Sequence, residues 1–187
     1  MTLERQRLVE GLACLIAFGA CIPLANWMIG NVGAFCTPEG ICLIPVAPGV
    51  MAPSGVLMIG LALVLRDLVQ RRLGTKFALA AIAAGTAISA LLAPPALVVA
   101  SAAAFLFSEL ADFAVYTPLQ RRRLVLAVFA SSGTGLVVDS IVFLWLAFGS
   151  LDYLGGQIIG KAWMVLIALP LIRLLRRRDE RIGLQPA

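Results

Sequence analysis

The sequence predicts an all-α integral membrane protein, a single domain over residues 1–187 built as a compact bundle of six transmembrane helices with both termini cytoplasmic. Three observations predict it. Hydrophobic residues make up 61% of the chain and charged residues 13%, with a mean hydropathy of +0.99, where a soluble domain has about 45–50% and about 25%. A water-soluble fold of this size cannot bury so much apolar surface, whereas a bilayer is itself an apolar solvent. Six apolar runs each approach the roughly 20 residues needed to cross about 30 Å of hydrocarbon. Finally, 14 of the 15 basic residues fall on one side of a six-span arrangement.

The spans are expected at about 8–29, 51–69, 76–92, 96–117, 124–148 and 155–175. Turn chemistry or charge separates them: Asn31-Val32-Gly33, Arg71-Arg72-Leu73-Gly74, Pro94-Pro95, Arg121-Arg122-Arg123 and Gly155-Gly156. Span one follows a short basic segment, as a signal peptide would. It is too long for an ordinary signal core and no small-residue cleavage site follows it, so it is counted as a span. Arg5 and Arg7 precede span one. Arg66, Arg71, Arg72 and Lys76 cluster between spans two and three, and Arg121–Arg123 lie between spans four and five. Arg173, Arg176, Arg177, Arg178 and Arg181 close the chain. The positive-inside rule makes that side cytoplasmic and the protein a multi-pass component of the cell inner membrane. The rule accounts for the arginines without a nucleic-acid partner.

The loop at 30–50 is rich in Gly and Pro and lacks basic residues. On the outer face a Cys36–Cys42 disulfide is compatible with the redox environment and with the turn Thr37-Pro38-Glu39-Gly40; two free thiols are the alternative. Cys14 and Cys21 lie in an apolar helix as small packing residues.

With no histidine, the chain lacks the commonest general base, proton shuttle and metal ligand. No metal-ligand cluster, cofactor motif or nucleophile motif is present, so an enzyme is not expected. Nor is there a G-x-x-x-x-G-K-[ST] loop for using ATP. The informative residues are charges inside the hydrocarbon, each costing about 2.5–3.5 kcal/mol at mid-helix. These are Glu109 and Asp112 in span four, Asp139 in span five and Lys161 in span six. Glu109 and Asp112 are i, i+3, with Phe105 and Tyr116 extending the stripe. Ser132 and Gly135 precede Asp139 on one face, and Gln157 and Lys161 are i, i+4. Three polar stripes on consecutive spans point to one shared interior cavity.

At about 1.5 Å per residue, Asp139 and Lys161 come out at similar depths, about 8 and 9 Å below the outer surface. They are therefore expected to pair or to share a ligand, with Glu109 and Asp112 nearer the cytoplasm. Three acids against one internal lysine leave charge for a ligand, protons or Arg66 to balance. Trp163, two residues from Lys161, is a candidate to stack on a planar ligand or to pack against lipid. Arg66, Asp67 and Tyr116 are candidates for salt-bridge or gating roles. A purely structural ion-pair set, an assembly subunit and a membrane enzyme using Glu109 and Asp112 as acid and base are the competing readings.

Particular residues add a resemblance. The stretch Ser108-Glu109-Leu110-Ala111-Asp112-Phe113-Ala114-Val115-Tyr116-Thr117-Pro118-Leu119 is followed by Val138-Asp139-Ser140-Ile141-Val142-Phe143, Ala147-Phe148-Gly149 and Gln157-Ile158-Ile159-Gly160-Lys161, and is preceded by Leu65-Arg66-Asp67-Leu68-Val69-Gln70. Together these resemble the queuosine-precursor transporters, also called the vitamin uptake transporter family, over spans two to six. The resemblance implies a bundle like the substrate-binding S component of energy-coupling-factor transporters and uptake of a 7-deazaguanine such as preQ0 or preQ1. It places substrate-binding roles on Glu109, Asp112, Asp139 and Lys161, with Gln157, Trp163, Phe105 and Ser132 as further candidates. The implied partners are a 7-deazapurine and the lipid bilayer, with an energising ATP-driven membrane module or a homo-oligomer left open. An S-component-like subunit for another vitamin or small polar solute is the alternative.

Overall fold

The computed structural model describes residues 2–38 and 40–187, so Glu39 of the 37–40 turn lies outside the described residues. Six long helices form the body: α1 (Leu3–Asn31), α2 (Val56–Leu73), α3 (Thr75–Leu92), α4 (Val98–Leu119), α5 (Leu124–Phe148) and α6 (Leu154–Ile182), with a 3-10 turn at Pro95–Leu97 before α4. They run alternately up and down. The link between α2 and α3 is Gly74 alone, at φ 92°, a left-handed conformation that suits glycine. The N-terminal half of α1 and the C-terminus lie beside that turn. Gly11 of α1 packs on Leu73 and Arg72, and the Ala187 amide donates to the Arg71 carbonyl at 2.9 Å. We call this the arginine end.

The opposite end corrects the all-α expectation. Residues 35–53 fold into a three-stranded antiparallel sheet in the order β1 (Phe35–Cys36), β2 (Cys42–Ala47) and β3 (Val50–Pro53). Leu43 faces Pro53 and Ile44 faces Ala52, with a register shift between Pro45 and Ala47. Cys36 and Cys42 are direct cross-strand partners and their sulfurs are bonded. Val46, Ala52 and Val56 form a small core under the sheet with Ile159 of α6. Ser54 ties the sheet to α1 through its hydroxyl, which donates to the Met28 carbonyl at 2.7 Å.

The span expected at 51–69 is therefore displaced. Residues 51–53 belong to β3, and the helix runs from Val56 to Leu73. Pro53 and Gly55 punctuate the chain before the helix begins. Arg71 and Arg72, expected in the following break, stand in the last turn of α2 and are buried, as is Arg66 in mid-helix.

Five helices, α1 and α3–α6, are long and apolar enough to cross a membrane. The exception is α2, which the sequence reading counted as a span and which carries Arg66, Asp67, Arg71 and Arg72. The packing explains how these charges are tolerated: α2 touches every other long helix, and protein rather than lipid covers it.

Close approach of α2 to α6 depends on small residues. A methyl on Gly60 would stand 2.5 Å from the carbonyl oxygen and 2.9 Å from the Cα of Lys161. Backbone cannot yield as a side chain can, so the helices would have to part. Gly60→Ala is expected to cost about 1–3 kcal/mol, read as a lowered unfolding temperature in detergent.

Candidate functional site

The helix repeat brings the polar stripes inward. On α4 the buried positions include Phe105, Ser108, Glu109, Asp112 and Tyr116, a face recurring every three or four residues. On α5 they include Ser131, Ser132, Gly135, Asp139 and Ser140, and on α6 Gln157, Gly160 and Lys161. Gly135 lets α4 and α5 meet, since a Cβ there would come within 3.1 Å of that of Asp112. These residues and α2 form two polar nodes.

The node nearer the sheet is centred on Lys161, only 1% exposed. Its ammonium donates to Asp139 Oδ2 at 2.6 Å, to Ser140 Oγ at 2.8 Å and to Gln157 Oε1. An ammonium has three N–H donors, so all are used. Above this node lies a cavity of about 70 Å3. Asp139, Gln157 and Lys161 line it together with Phe105, Phe143, Ile22 and Ile59. Further polar groups in its wall are Asn26 of α1, Ser89 of α3 and Ser101 of α4. The site thus offers one carboxylate, two carboxamides, two hydroxyls and one ammonium on an otherwise mostly apolar surface with two aromatic rings, the composition of a pocket for a small polar ring.

The second node is built on Arg66, whose side chain is fully buried. Nε donates to Glu109 Oε2 at 3.0 Å and Nη1 to Gln70 Oε1 at 3.0 Å, while Nη2 meets Asp112 Oδ1 and lies 3.0 Å from Asp67 Oδ1. The guanidinium carbon stands 5.8 Å from the Phe113 ring centre and 5.6 Å from that of Tyr116, within cation–π range. Ser131 donates to Asp67 Oδ2 at 2.9 Å, and Gln70 donates to Thr117 Oγ1 at 2.9 Å. Between the nodes, the Ser108 hydroxyl donates to the Phe105 carbonyl at 3.0 Å and lies 3.5 Å from Asp139 Oδ1.

The residues singled out from sequence thus separate into three groups. Phe105, Asp139, Gln157 and Lys161 share the cavity wall. Glu109, Asp112, Arg66, Asp67 and Tyr116 gather in the second node, outside that wall. Ser132 is buried with no hydrogen-bond partner, and Trp163 is half exposed with its indole N–H donating to the Val46 carbonyl at 2.9 Å. Trp163 anchors the sheet rather than lining the cavity. Sequence reasoning missed Ser140, which completes the lysine's coordination, and Asn26 and Ser89, which bring α1 and α3 to the site. The lone amide in an otherwise apolar stretch of span one was the available signal for Asn26.

The arginine end is closed by a third ion cluster. Asp179 of α6 accepts from Arg72 Nη2 at 2.8 Å and from Arg71 Nη2 at 3.2 Å, and Glu10 of α1 accepts from Arg72 Nε at 2.9 Å and Arg178 Nη2 at 2.7 Å. Because Asp179, Arg71 and Arg72 are all buried, removing the carboxylate strands Arg71 and leaves Arg72 with Glu10 alone. Asp179→Ala is expected to destabilise the protein by about 3 kcal/mol, with faster proteolysis of the C-terminal segment as the local readout.

Residues 89–175 match a family model described as "Putative vitamin uptake transporter". The match takes in α4, α5 and most of α6, hence Phe105, Glu109, Asp112, Asp139, Gln157 and Lys161, and leaves α1, α2 and the sheet outside. No curated protein and no solved structure matches the chain. The apolar helices describe a multi-pass membrane protein, and residues 89–175 are similar to a transporter family.

Proposed function

We propose that the chain imports a queuosine precursor, a 7-deazaguanine such as preQ0 or preQ1, across the inner membrane. In this reading the arginine end is cytoplasmic, α2 is the sixth span, and the sheet caps the outer face. The observation that carries the proposal is the cavity whose floor is the Asp139–Lys161–Gln157 group. A guanine-like edge presents adjacent N–H donors beside a carbonyl oxygen. A carboxylate accepts from the donors, and an ammonium or amide donates to the carbonyl. Phe105 supplies an aromatic face for the flat ring.

Lys161 has no spare donor, so a ligand must take over one of its partners. Gln157 is the exchangeable one: released from Lys161, its amide can turn to the ring. Glu109 stands one helical turn from Phe105 and acts on the bound ring through its electrostatic influence on Asp139.

The test is uptake in cells that cannot synthesise the precursor. Cells expressing the protein should make queuosine-modified tRNA from supplied preQ0 or preQ1, and cells without it should not. Equal modification in both would sink the proposal.

A further inference from the structure

Four carboxylates and two cations are buried in the core of this bundle: Asp67, Glu109, Asp112 and Asp139 against Arg66 and Lys161. Lys161 is committed to Asp139. Arg66 is therefore the one cation in contact with Asp67, Glu109 and Asp112, among the described residues. The groups nearby do not change that count. Asp179 and Glu10 occupy Arg71 and Arg72 at the arginine end, and the α3 residue Lys76 is exposed there. Tyr116 is neutral when protonated; its buried hydroxyl has no partner and lies within electrostatic reach of Asp67 and Arg71. Fully ionised, the Arg66 node would hold two uncompensated negative charges away from water, which costs several kcal/mol per ion.

The geometry indicates where part of the balance is restored. Asp67 and Asp112 both contact Nη2 of Arg66, which brings the two carboxyl groups together at one nitrogen. Each has one oxygen that accepts no hydrogen bond among the described residues: Asp112 Oδ2, and Asp67 Oδ1, which stands 3.0 Å from Nη2 without receiving an N–H. Two carboxylates only accept, so they cannot hydrogen-bond to each other; a carboxyl and a carboxylate can. One proton between them supplies the missing donor and removes one of the two excess charges. Glu109, which accepts from Arg66 in this node, is within electrostatic reach of Asp139 in the cavity wall, so occupancy of the cavity and protonation of the pair are placed to influence each other.

We infer that Asp67 and Asp112 hold a transferable proton and that the protein is a proton–solute symporter: the proton enters from the side facing the sheet, converts one carboxylate to a carboxyl, and leaves at the arginine end. The site itself rests on the buried geometry; its role in symport rests on the carrier reading above.

Two measurements on the full-length protein in liposomes test it. Infrared spectra should contain the C=O stretch of a protonated carboxyl at neutral pH, lost in Asp67→Asn and in Asp112→Asn. A band absent from the wild type, or unchanged in both variants, overturns the proton site. The second uses preQ0, which is uncharged, with the membrane potential clamped to zero. One proton per solute under an inward gradient of one pH unit sustains about tenfold accumulation, with matching acidification of the lumen. Equilibration of preQ0 without accumulation or acidification overturns symport and leaves the carrier reading standing. A carboxyl band assigned to the pair with no preQ0 movement at all overturns the substrate and leaves the proton site standing.

Discussion

Asp139→Asn and Lys161→Met are each expected to lower uptake by more than about 100-fold per molecule of folded protein in the membrane. A hydrogen bond to a charged group contributes about 1.5–3 kcal/mol, and the cavity floor makes three on one ammonium: to Asp139, Ser140 and Gln157. Either change removes a group that would meet the solute and disarranges the partner left behind. The two losses have different origins, and the double variant separates them. Lys161→Met alone strands a buried carboxylate and should lower stability by about 3–5 kcal/mol. Adding Asp139→Asn removes the stranded charge, so stability should recover while uptake does not. A purely structural ion pair would behave otherwise, with uptake returning along with stability. The check is a thermal-unfolding and uptake series on the wild type, both single variants and the double variant, read as a double-mutant cycle.

The second large effect belongs to Arg66. Its guanidinium engages Glu109, Asp112, Gln70 and Asp67 at once and lies within cation–π range of Phe113 and Tyr116. Arg66→Met leaves three carboxyl groups with no cation and should cost at least the roughly 3–5 kcal/mol of a broken buried pair, enough to remove most folded protein from the membrane. Arg66→Lys should rescue little, because an ammonium cannot reproduce a planar fork that spans four partners. Combining Arg66→Met with Glu109→Gln and Asp112→Asn should restore folding, since it removes the charge that Arg66 compensates. Yield of monodisperse protein after solubilisation reads all three. An Arg66→Met protein as abundant and as heat-stable as the wild type would contradict the charge accounting.

The parts of this fold legible in the sequence are those governed by a single strong rule. Helix α5 runs from Leu124 to Phe148, and its expected bounds coincide because Arg123 and Gly149 punctuate it. The inward faces of α4, α5 and α6 follow from spacing alone, because polar side chains in an apolar helix cannot face hydrocarbon. The sheet was less legible. Ile44-Pro45-Val46-Ala47 and Val50-Met51-Ala52 flank Pro48-Gly49 as a hairpin would, with Gly49 at φ 71°. Yet apolar runs of this length read equally as the start of a span, so Met51 was assigned to a helix. The role of α2 was hidden for a different reason. Arg66, Arg71 and Arg72 satisfy the positive-inside rule as loop residues and bury their charge as helix residues, and only the positions of Glu109, Asp112 and Asp179 on other helices distinguish the two. Trp163 shows the limit of proximity in sequence. Two positions from Lys161 on a helix is about 200° around the axis, which turns the indole away from the cavity and toward the Val46 carbonyl.

The central claim is that Asp139, Lys161 and Gln157 are kept in the interior to hold a passing solute. A structure of the protein with preQ1 bound tests it most directly. The deazaguanine ring is expected between Phe105 and the Asp139–Lys161 pair, with Gln157 released from the lysine and turned to the ring. A ring lodged elsewhere, with the Lys161 coordination to Asp139, Ser140 and Gln157 unchanged, would contradict it.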